Sequence, residues 1–253
     1  MKTQNNKKYY LLDKKPQDEC GIFGISNDSN AANLTALGLH ALQHRGQDST
    51  GIVTSDRNNF YAHRGMGQVS EVFSNSTLLN TLKGSMAIGH NRYGTTGESA
   101  LKNVQPLFSE LSIGGVAIAH NGNLTNTHQL KEKLIESGSI FQSTSDTEVI
   151  LHLLSTASGT LLERLTYALN SISGAYSLLI MTNNKLIGVR DPFGIRPLVL
   201  GKYNNSYILS SESCGLDIIG AELIRDIEPG EIVIIKEDKF DSIKPFKKTK
   251  LRP

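Results

Sequence analysis

The chain has 253 residues, of which 38% are hydrophobic and 20% charged, which is typical of a globular protein long enough to bury a core. No apolar run approaches the roughly 20 residues of a membrane-spanning helix, so no membrane association is expected. Both ends are basic: residues 1–19 hold five Lys against three acidic residues, and residues 236–253 hold seven Lys or Arg against three. The formal net charge is only +2, so the middle is acidic and lacks the basic patch typical of nucleic-acid binding.

Residues 1–19 are polar and lack the apolar stretch of a secretory signal, and we interpret them as a leader. Two cysteines, Cys20 and Cys214, are too few for a disulfide framework and do not have metal-ligand spacing. Together with the missing signal they predict a reducing, cytoplasmic location. No metal site is predicted, because no Glu or Cys completes an evident zinc set with the histidines His40, His44, His90 and His120.

The predicted elements begin abruptly at Cys20, where CGIFGIS is typical of a buried strand. A helix is predicted from Asn33 to Leu42, because its apolar residues fall on one face. Four short strands are then predicted at Gly51–Ser55, Phe60–Arg64, Met86–Asn91 and Val116–His120.

Three helices are predicted in the middle of the chain. Thr125 or Asn126 can cap the first, which runs through Glu136 and is stopped by Gly138. The pattern S-x-x-E from Ser145 to Glu148 predicts a capping box that opens the second, Val149–Leu154. The third is predicted from about Leu161 to Ile172.

The last third of the chain reads as β structure. Turns at Asn183-Asn184 and Asn204-Asn205 predict two hairpins, because Asn tolerates positive φ. The sequence DPFG at 191–194 predicts a tight turn. The predicted strands are Tyr176–Met181, Leu186–Arg190, Leu198–Tyr203, Tyr207–Ser210 and Glu231–Lys236. Strands and hairpins mixed with a few helices indicate an α+β fold with mostly antiparallel sheets.

Several polar clusters stand at the ends of apolar elements, where ligand sites tend to lie. Cys20 is a candidate nucleophile, although a free cysteine is more often a small buried apolar residue. Arg92 is suited to a carboxylate, and the pair Asn121-Gly122 offers a side-chain amide beside a bare N–H, which are the parts of an oxyanion hole. Asp146 could hold a substrate ammonium, although an acidic residue there often only complements a helix dipole.

Six motifs in order resemble a known family. They are DECGIFGI (18–25), LQHRGQDSTGI (42–52), GHNRYGTTG (89–97), AHNGNL (119–124), TSDTEVI (144–150) and DPFGIRPLVLG (191–201). Together they resemble class II glutamine amidotransferase domains, which are N-terminal nucleophile hydrolases, and more narrowly the amidophosphoribosyltransferase family, whose members open purine nucleotide synthesis. The resemblance covers essentially all of residues 20–235. It implies a four-layer αββα sandwich.

The resemblance also implies roles for single residues. Cys20 would form a glutamyl thioester with release of ammonia, with its own α-amino group as general base, so the bond after Glu19 must be cut and residues 1–19 would be a propeptide. Asn121 and Gly122 would stabilise the oxyanion. Arg92, helped by Thr95, would bind the α-carboxylate of glutamine, and Asp146 would bind its α-ammonium. Arg45 would support the region of the nucleophile.

The family implies a second, C-terminal phosphoribosyltransferase domain, and its signature of an apolar strand, paired acids and a Gly/Thr-rich loop is not found here. We therefore interpret 20–235 as the glutaminase domain, 236–253 as a basic extension towards that domain, and the chain as a truncated or partial protein. Phosphoribosyl pyrophosphate and Mg²⁺ would bind the other domain, and full-length members are expected to be homo-oligomers. A 4Fe–4S cluster, implied for the branch with propeptides, needs four Cys thiolates and cannot be built here.

Two alternatives stay open at this point. One is the glutaminase domain of glucosamine-6-phosphate synthetase or asparagine synthetase, although those domains usually start directly after the initiator Met. The other is a non-catalytic binding or regulatory module that keeps the fold without processing. Loss of residues 1–19 and covalent labelling of Cys20 would separate an enzyme from such a module.

Overall fold

The computed structural model describes residues 20–93 and 100–246. Their strands form two antiparallel sheets that pack face to face, with helices on both outer surfaces. This arrangement confirms the predicted α+β, four-layer αββα sandwich. In the described part of the chain, no helix combines the length and apolar character needed to cross a bilayer.

The first strand of the domain lies at the centre of sheet A, so its backbone is hydrogen-bonded to a neighbouring strand on each side. From edge to edge it consists of Glu222–Asp226 (β11), Val199–Tyr203 (β9), Ser206–Ser210 (β10), Gly21–Ser26 (β1), Met86–Arg92 (β4), Ser49–Ser55 (β2) and Phe60–Met66 (β3). Sheet B consists of Lys239–Ile243 (β13), Ile232–Lys236 (β12), Leu186–Arg190 (β8), Gly174–Thr182 (β7), Gly114–Leu124 (β6) and Leu107–Leu111 (β5).

The helices cover the outer faces of the sheets. They are Ala31–Ala41 (α1), Val69–Val72 (α2), Ser76–Leu79 (α3), Thr127–Glu136 (α4), Thr147–Thr156 (α5), Leu161–Ser171 (α6) and Cys214–Asp217 (α7), with 3₁₀ turns at Gln43–Arg45 and Leu101–Asn103. Helices α1 and α7 pack on sheet A, and α5 and α6 pack on sheet B. Their apolar faces are therefore buried against strands rather than exposed.

Alternation along the strands decides which side chains enter the gap between the sheets, because successive residues point to opposite faces. On β1, Ile22 is fully buried between the sheets, whereas Phe23 and Ile25 pack beneath α1. On β4, Met86 and Ile88 point into the same gap. Even-numbered residues of these two strands thus face sheet B, and this parity extends to the ends of both strands.

Of the two capping predictions, the N-cap position of Asn126 is confirmed and the capping box from Ser145 to Glu148 is wrong; in both cases the side chain bonds to more distant backbone groups. Asn126 occupies the N-cap of α4, but its side chain bonds to the backbone of Ser171 and Ser173 across the loop. Glu148 does not close a capping box with Ser145. Its carboxylate accepts the N–H groups of Gln142 and Ser143 at 2.8 and 2.7 Å instead.

The hairpin turns follow the predicted positions with different chemistry. Asn204 does adopt a positive φ, of 52°. The turn at Asn183-Asn184 is closed instead by the backbone bond from Thr182 N–H to Lys185 C=O at 2.9 Å, while Asn183 donates its amide to Arg57 C=O at 3.0 Å. The predicted tight turn at 191–194 is confirmed, because the Asp191 carboxylate accepts the N–H groups of its own loop.

A polar cluster joins the edges of the two sheets. The Glu231 carboxylate, just before β12, accepts two N–H groups of Arg225 from β11 in sheet A, and also the hydroxyl of Ser242 from β13 in sheet B. These bonds hold the pKa of Glu231 down at about 2 against the opposing effect of burial, which is the largest single influence. Residues 239–243, placed in the basic extension by sequence, form strand β13 of sheet B.

Candidate active site

Cys20 lies at the entrance to β1 and is 8% exposed. Its φ is +66°, a left-handed conformation that costs a residue other than Gly about 1–2 kcal/mol. Strand β1 pairs with β4 with Gly21 opposite Asn91, so Cys20, which precedes Gly21, lies at the same end of sheet A as Arg92.

Arg45 holds the backbone of Cys20 from both sides. Its carbonyl accepts the Cys20 N–H at 3.1 Å, and its Nε donates to the Cys20 carbonyl at 2.8 Å. The Arg45 side chain is only 1% exposed, and its Nη1 forms an ion pair with Glu212. The strained residue at the head of β1 is therefore fixed by a buried cation that is itself neutralised.

Arg92 ends β4 and is 6% exposed. Its carbonyl accepts the Asp48 N–H at 3.0 Å, so the chain after Arg45 runs along the Arg92 backbone. Gly46 permits this approach, since a Cβ there would lie 2.6 Å from the Arg92 carbonyl carbon. Ser49 is paired with Arg92 on the next strand, and its buried hydroxyl has no hydrogen-bond partner among the residues that the structure describes.

Strands β4 and β6 face each other across the gap and run in the same direction. Near their starts, the rings of Phe60 and Phe108 are 4.8 Å apart, and these residues lie at the level of Met86 and Ala117. Further along, His90 Nε2 of β4 donates to the His120 carbonyl of β6 at 3.0 Å. The residues that follow, Arg92 and Asn121-Gly122, therefore end at the same side of the sandwich as Cys20.

Asn121 has a fully buried side chain, and among residues 20–93 and 100–246 neither its amide oxygen nor its amide nitrogen has a hydrogen-bond partner. An unsatisfied buried amide costs about 1–3 kcal/mol, and native proteins rarely keep one without a reason. Asn91, which is equally buried, shows the usual case: its amide donates to Leu39 C=O and accepts from Thr50. The Asn121 amide is thus available to a group that the described residues do not supply.

Gly122 could not be another residue in this geometry. Its φ is +151°, and a Cβ would lie 2.1 Å from the Ala175 carbonyl oxygen and 2.8 Å from the Tyr176 Cα on the paired strand β7. Both are backbone atoms of a central strand, which cannot move aside cheaply. Because only Gly fits here, the backbone conformation at Gly122, directly after Asn121, is tightly constrained.

Asp146 immediately precedes α5 and reaches back to β6. Its carboxylate accepts the Leu124 N–H at 2.9 Å and lies 3.5 Å from His120 Nδ1. Burial alone would raise the pKa of Asp146, but His120 and the Leu124 N–H together lower it below the usual value, so the group is a carboxylate. The neighbouring His90 is neutral, because complete burial lowers its pKa to about 3.

The structure thus gathers Cys20, Arg45, Arg92 and Asn121-Gly122 at one end of the gap, with Asp146 tied to the same strand β6. Thr95 lies outside the described residues. Sequence reasoning missed two groups at this end, Ser49 and Glu212. Ser49 could be found only from its pairing with Arg92, and that requires knowledge of the strand register. Glu212 is 167 residues from Arg45 in sequence, so no local pattern connects the two.

A two-sheet sandwich with a cysteine at the head of a central strand, and a buried amide at the same end of the sandwich, is typical of one class of protein. A sequence model of the glutamine amidotransferase domain matches residues 90–217, and the chain belongs to that family. Within it, the chain is similar to amidophosphoribosyltransferases. It is 53% identical over 239 residues to the enzyme of Rhizobium etli, and 49% identical over 232 residues to the chloroplastic amidophosphoribosyltransferase 3 of Arabidopsis thaliana.

Those alignments cover 93% and 91% of this chain but 48% and 43% of the two relatives, so the chain spans about half of their length. Among solved structures, glutamine phosphoribosylpyrophosphate amidotransferase of Bacillus subtilis, complexed with ADP and GMP, superposes with a TM-score of 0.85 at 43% identity. That match covers 90% of this chain and 49% of the other. A glutamine aminotransferase class-II domain protein from Silicibacter pomeroyi, at 12% identity and a TM-score of 0.59, shares the fold.

Proposed function

We propose that this chain is the glutaminase part of an amidophosphoribosyltransferase, hydrolysing glutamine to glutamate and ammonia through Cys20. The observation that carries the proposal is the buried, unpaired amide of Asn121 at the same end of the gap as Cys20. A purely structural Asn in that position would cost stability with no return. An amide that donates to an oxyanion stabilises the transition state, and this gain in rate explains why an unpaired buried amide is kept.

In the proposed reaction the Cys20 sulfur attacks the side-chain carbonyl carbon of glutamine. The general base is the α-amino group of the same residue, which has an ordinary pKa near 7.7–8.0. An amide nitrogen cannot take a proton in this way, so residues 1–19 must first be removed. The Arg45 carbonyl, which accepts the Cys20 N–H at 3.1 Å, would then orient the free amine.

The tetrahedral intermediate carries its negative charge on the former carbonyl oxygen. The Asn121 side-chain amide and the Gly122 N–H stabilise that oxygen, and loss of one such donor in enzymes costs about 100- to 1000-fold in rate. Collapse of the intermediate expels ammonia, with a proton from the Cys20 ammonium. Water then hydrolyses the thioester, with the amine again acting as the base.

The remaining residues recognise the amino-acid end of glutamine. Arg92 pairs with the α-carboxylate, for which the planar guanidinium is well matched, and Thr95 assists it. Asp146, held as a carboxylate by His120, receives the α-ammonium. The two charges of the substrate thus meet opposite charges on β4 and on α5.

Ammonia would pass to phosphoribosyl pyrophosphate in a second domain, in the first committed step of purine synthesis, and the full-length protein would be a homo-oligomer. Support comes from the amidophosphoribosyltransferases that the chain resembles over about half of their length. Mg²⁺ belongs to that second domain. A 4Fe–4S cluster does not fit this chain, because its two cysteines cannot supply four thiolates. A free thiol nucleophile suits a reducing compartment, and we place the protein in the cytoplasm.

The test is glutaminase activity of the processed chain beside Cys20→Ala. The proposal predicts glutamate release by the wild type and none by the variant, because no other described residue replaces the sulfur. Isothermal titration of Cys20→Ala with glutamine should still show binding through Arg92 and Asp146. Binding without hydrolysis in the processed wild type would favour the non-catalytic module instead.

A further inference from the structure

Three side chains that can ligate a metal converge behind the active site from two distant parts of the sequence. They are His44 from the turn after α1, Glu212 from the loop after β10, and Cys214 at the start of α7. One ligand atom from each lies within 4.8 Å of the others. Two separations are 3.0 Å, from His44 Nε2 to Glu212 Oε2, and 3.6 Å, from Cys214 Sγ to the same oxygen.

The hydrogen-bond partners of this cluster are mostly acceptors. His44 Nδ1 faces the Ala41 carbonyl at 3.1 Å, and Nε2 faces the Glu212 carboxylate. A neutral imidazole carries only one N–H, so it cannot donate to both. Cys214 Sγ also faces the Ala41 carbonyl, at 3.8 Å, as well as the carboxylate. The space between Nε2, Oε2 and Sγ therefore suits a positive charge.

The surroundings match those of protein metal ligands. A ligating histidine usually donates its second ring N–H to a backbone carbonyl, and a ligating carboxylate is usually hydrogen-bonded in turn. His44 Nδ1 has the Ala41 carbonyl, and the other Glu212 oxygen is taken by buried Arg45. With Zn–N and Zn–O near 2.0 Å and Zn–S near 2.3 Å, tetrahedral ligands lie about 3.3–3.5 Å apart, close to the two separations in the structure.

We propose that His44, Glu212 and Cys214 bind one divalent cation of the zinc type, with three protein ligands and a fourth position open to water. His44 is 53% exposed in its side chain and Glu212 31%, so the ion can enter from solvent. Binding displaces the thiol proton of Cys214 to water, and imidazole binds through its Nε2 lone pair. The site does not depend on glutamine hydrolysis.

Its position links the site to the nucleophile. Glu212 uses Oε2 for the cluster and Oε1 for Arg45, which in turn holds the Cys20 carbonyl. A cation at Oε2 would thus fix the carboxylate that orients Arg45. The ligand set escaped sequence analysis because His44 and Glu212 are 168 residues apart.

The test uses the full chain with Cys20→Ala, which leaves Cys214 as its single thiol. Titration with Co²⁺ should produce a thiolate-to-cobalt charge-transfer band that saturates at one equivalent and is displaced by Zn²⁺. Adding Cys214→Ser should abolish the band, and adding His44→Gln should weaken Co²⁺ binding at least about 10-fold. The matched control is His40→Gln, an exposed histidine on α1, which should leave binding unchanged.

A missing band, a band that survives Cys214→Ser, or equal affinity in the His44→Gln variant would overturn the proposal. If Cys20→Ala does not fold by circular dichroism, Cys20→Ser serves as the background. Because both backgrounds lack the proposed nucleophile, failure of the metal site leaves the glutaminase proposal untouched.

Discussion

Replacing Asn121 by Ala should separate activity from stability. The Asn121 amide is fully buried and unpaired, so its removal relieves an unsatisfied group worth about 1–3 kcal/mol, which offsets the small cavity that is left. The expected change in the free energy of unfolding lies between zero and about 1 kcal/mol of stabilisation. The same change removes an oxyanion donor, so kcat should fall about 100- to 1000-fold with glutamine KM changed little.

The matched control is Asn91→Ala, which removes an equally buried amide from the neighbouring sheet. Asn91 donates to Leu39 C=O at 2.7 Å and accepts from Thr50 Oγ1 at 2.6 Å, so its loss leaves a buried carbonyl unpaired and should cost about 2–4 kcal/mol. Urea unfolding of the processed chain measures both effects, and glutamate release measures activity. The reasoning is refuted if Asn121→Ala destabilises as much as Asn91→Ala while kcat stays within a factor of ten.

Three further outcomes are expected. Gly122→Ala should lower both stability and kcat, since its Cβ meets the β7 backbone at 2.1 Å. Urea unfolding and glutaminase kinetics measure the two effects, and an unchanged free energy of unfolding with an unchanged kcat would contradict this. Arg45→Lys should reduce kcat about 10-fold without changing glutamine KM, because the Nε bond to Cys20 is lost; unchanged kcat would be inconsistent with positioning. Glu231→Gln should make the loss of stability between pH 4.5 and 2 smaller than in the wild type. The measurement is the midpoint of urea unfolding as a function of pH.

The sign of that pH effect follows from the depressed pKa of Glu231, about 2 in the folded chain against an ordinary 4.5. A carboxylate that is stabilised by folding contributes stability above its unfolded pKa and loses it as pH falls through the folded value. The contribution is therefore present at neutral pH and disappears in acid. A variant that keeps the full acid dependence of the wild type would show that other groups carry it.

Sequence patterns predicted the elements that are rich in apolar residues and largely buried. The helix predicted at Asn33–Leu42 is α1, whose apolar residues recur at helical spacing, and the strand predicted at Met86–Asn91 is β4, which is buried along its whole length. Short edge elements were missed. Strand β11, Glu222–Asp226, is mostly exposed and has no apolar alternation, so only its pairing with β9 reveals it.

For the candidate active site, the sequence likewise predicted the residues but not their geometry. Motifs pointed to Cys20, Arg92 and Asn121-Gly122, because each is a polar or Gly-containing site next to an apolar stretch: Cys20 before β1, Arg92 at the end of β4 and Asn121-Gly122 in the last part of β6. The geometry could not be predicted: the positive φ of Cys20 and the link from Arg45 to Glu212 depend on contacts made far apart in the chain. That no described residue pairs with the Asn121 amide is likewise a result of packing rather than of local sequence.

The most direct test of the central claim combines intact mass with covalent labelling by the glutamine analogue 6-diazo-5-oxo-norleucine. The account predicts an active chain that begins at Cys20 and gains one analogue-derived adduct on that residue, with hydrolysis lost in proportion to labelling. A chain that still begins at Met1 and hydrolyses glutamine at full rate, or that is inactivated by an adduct elsewhere, would contradict it.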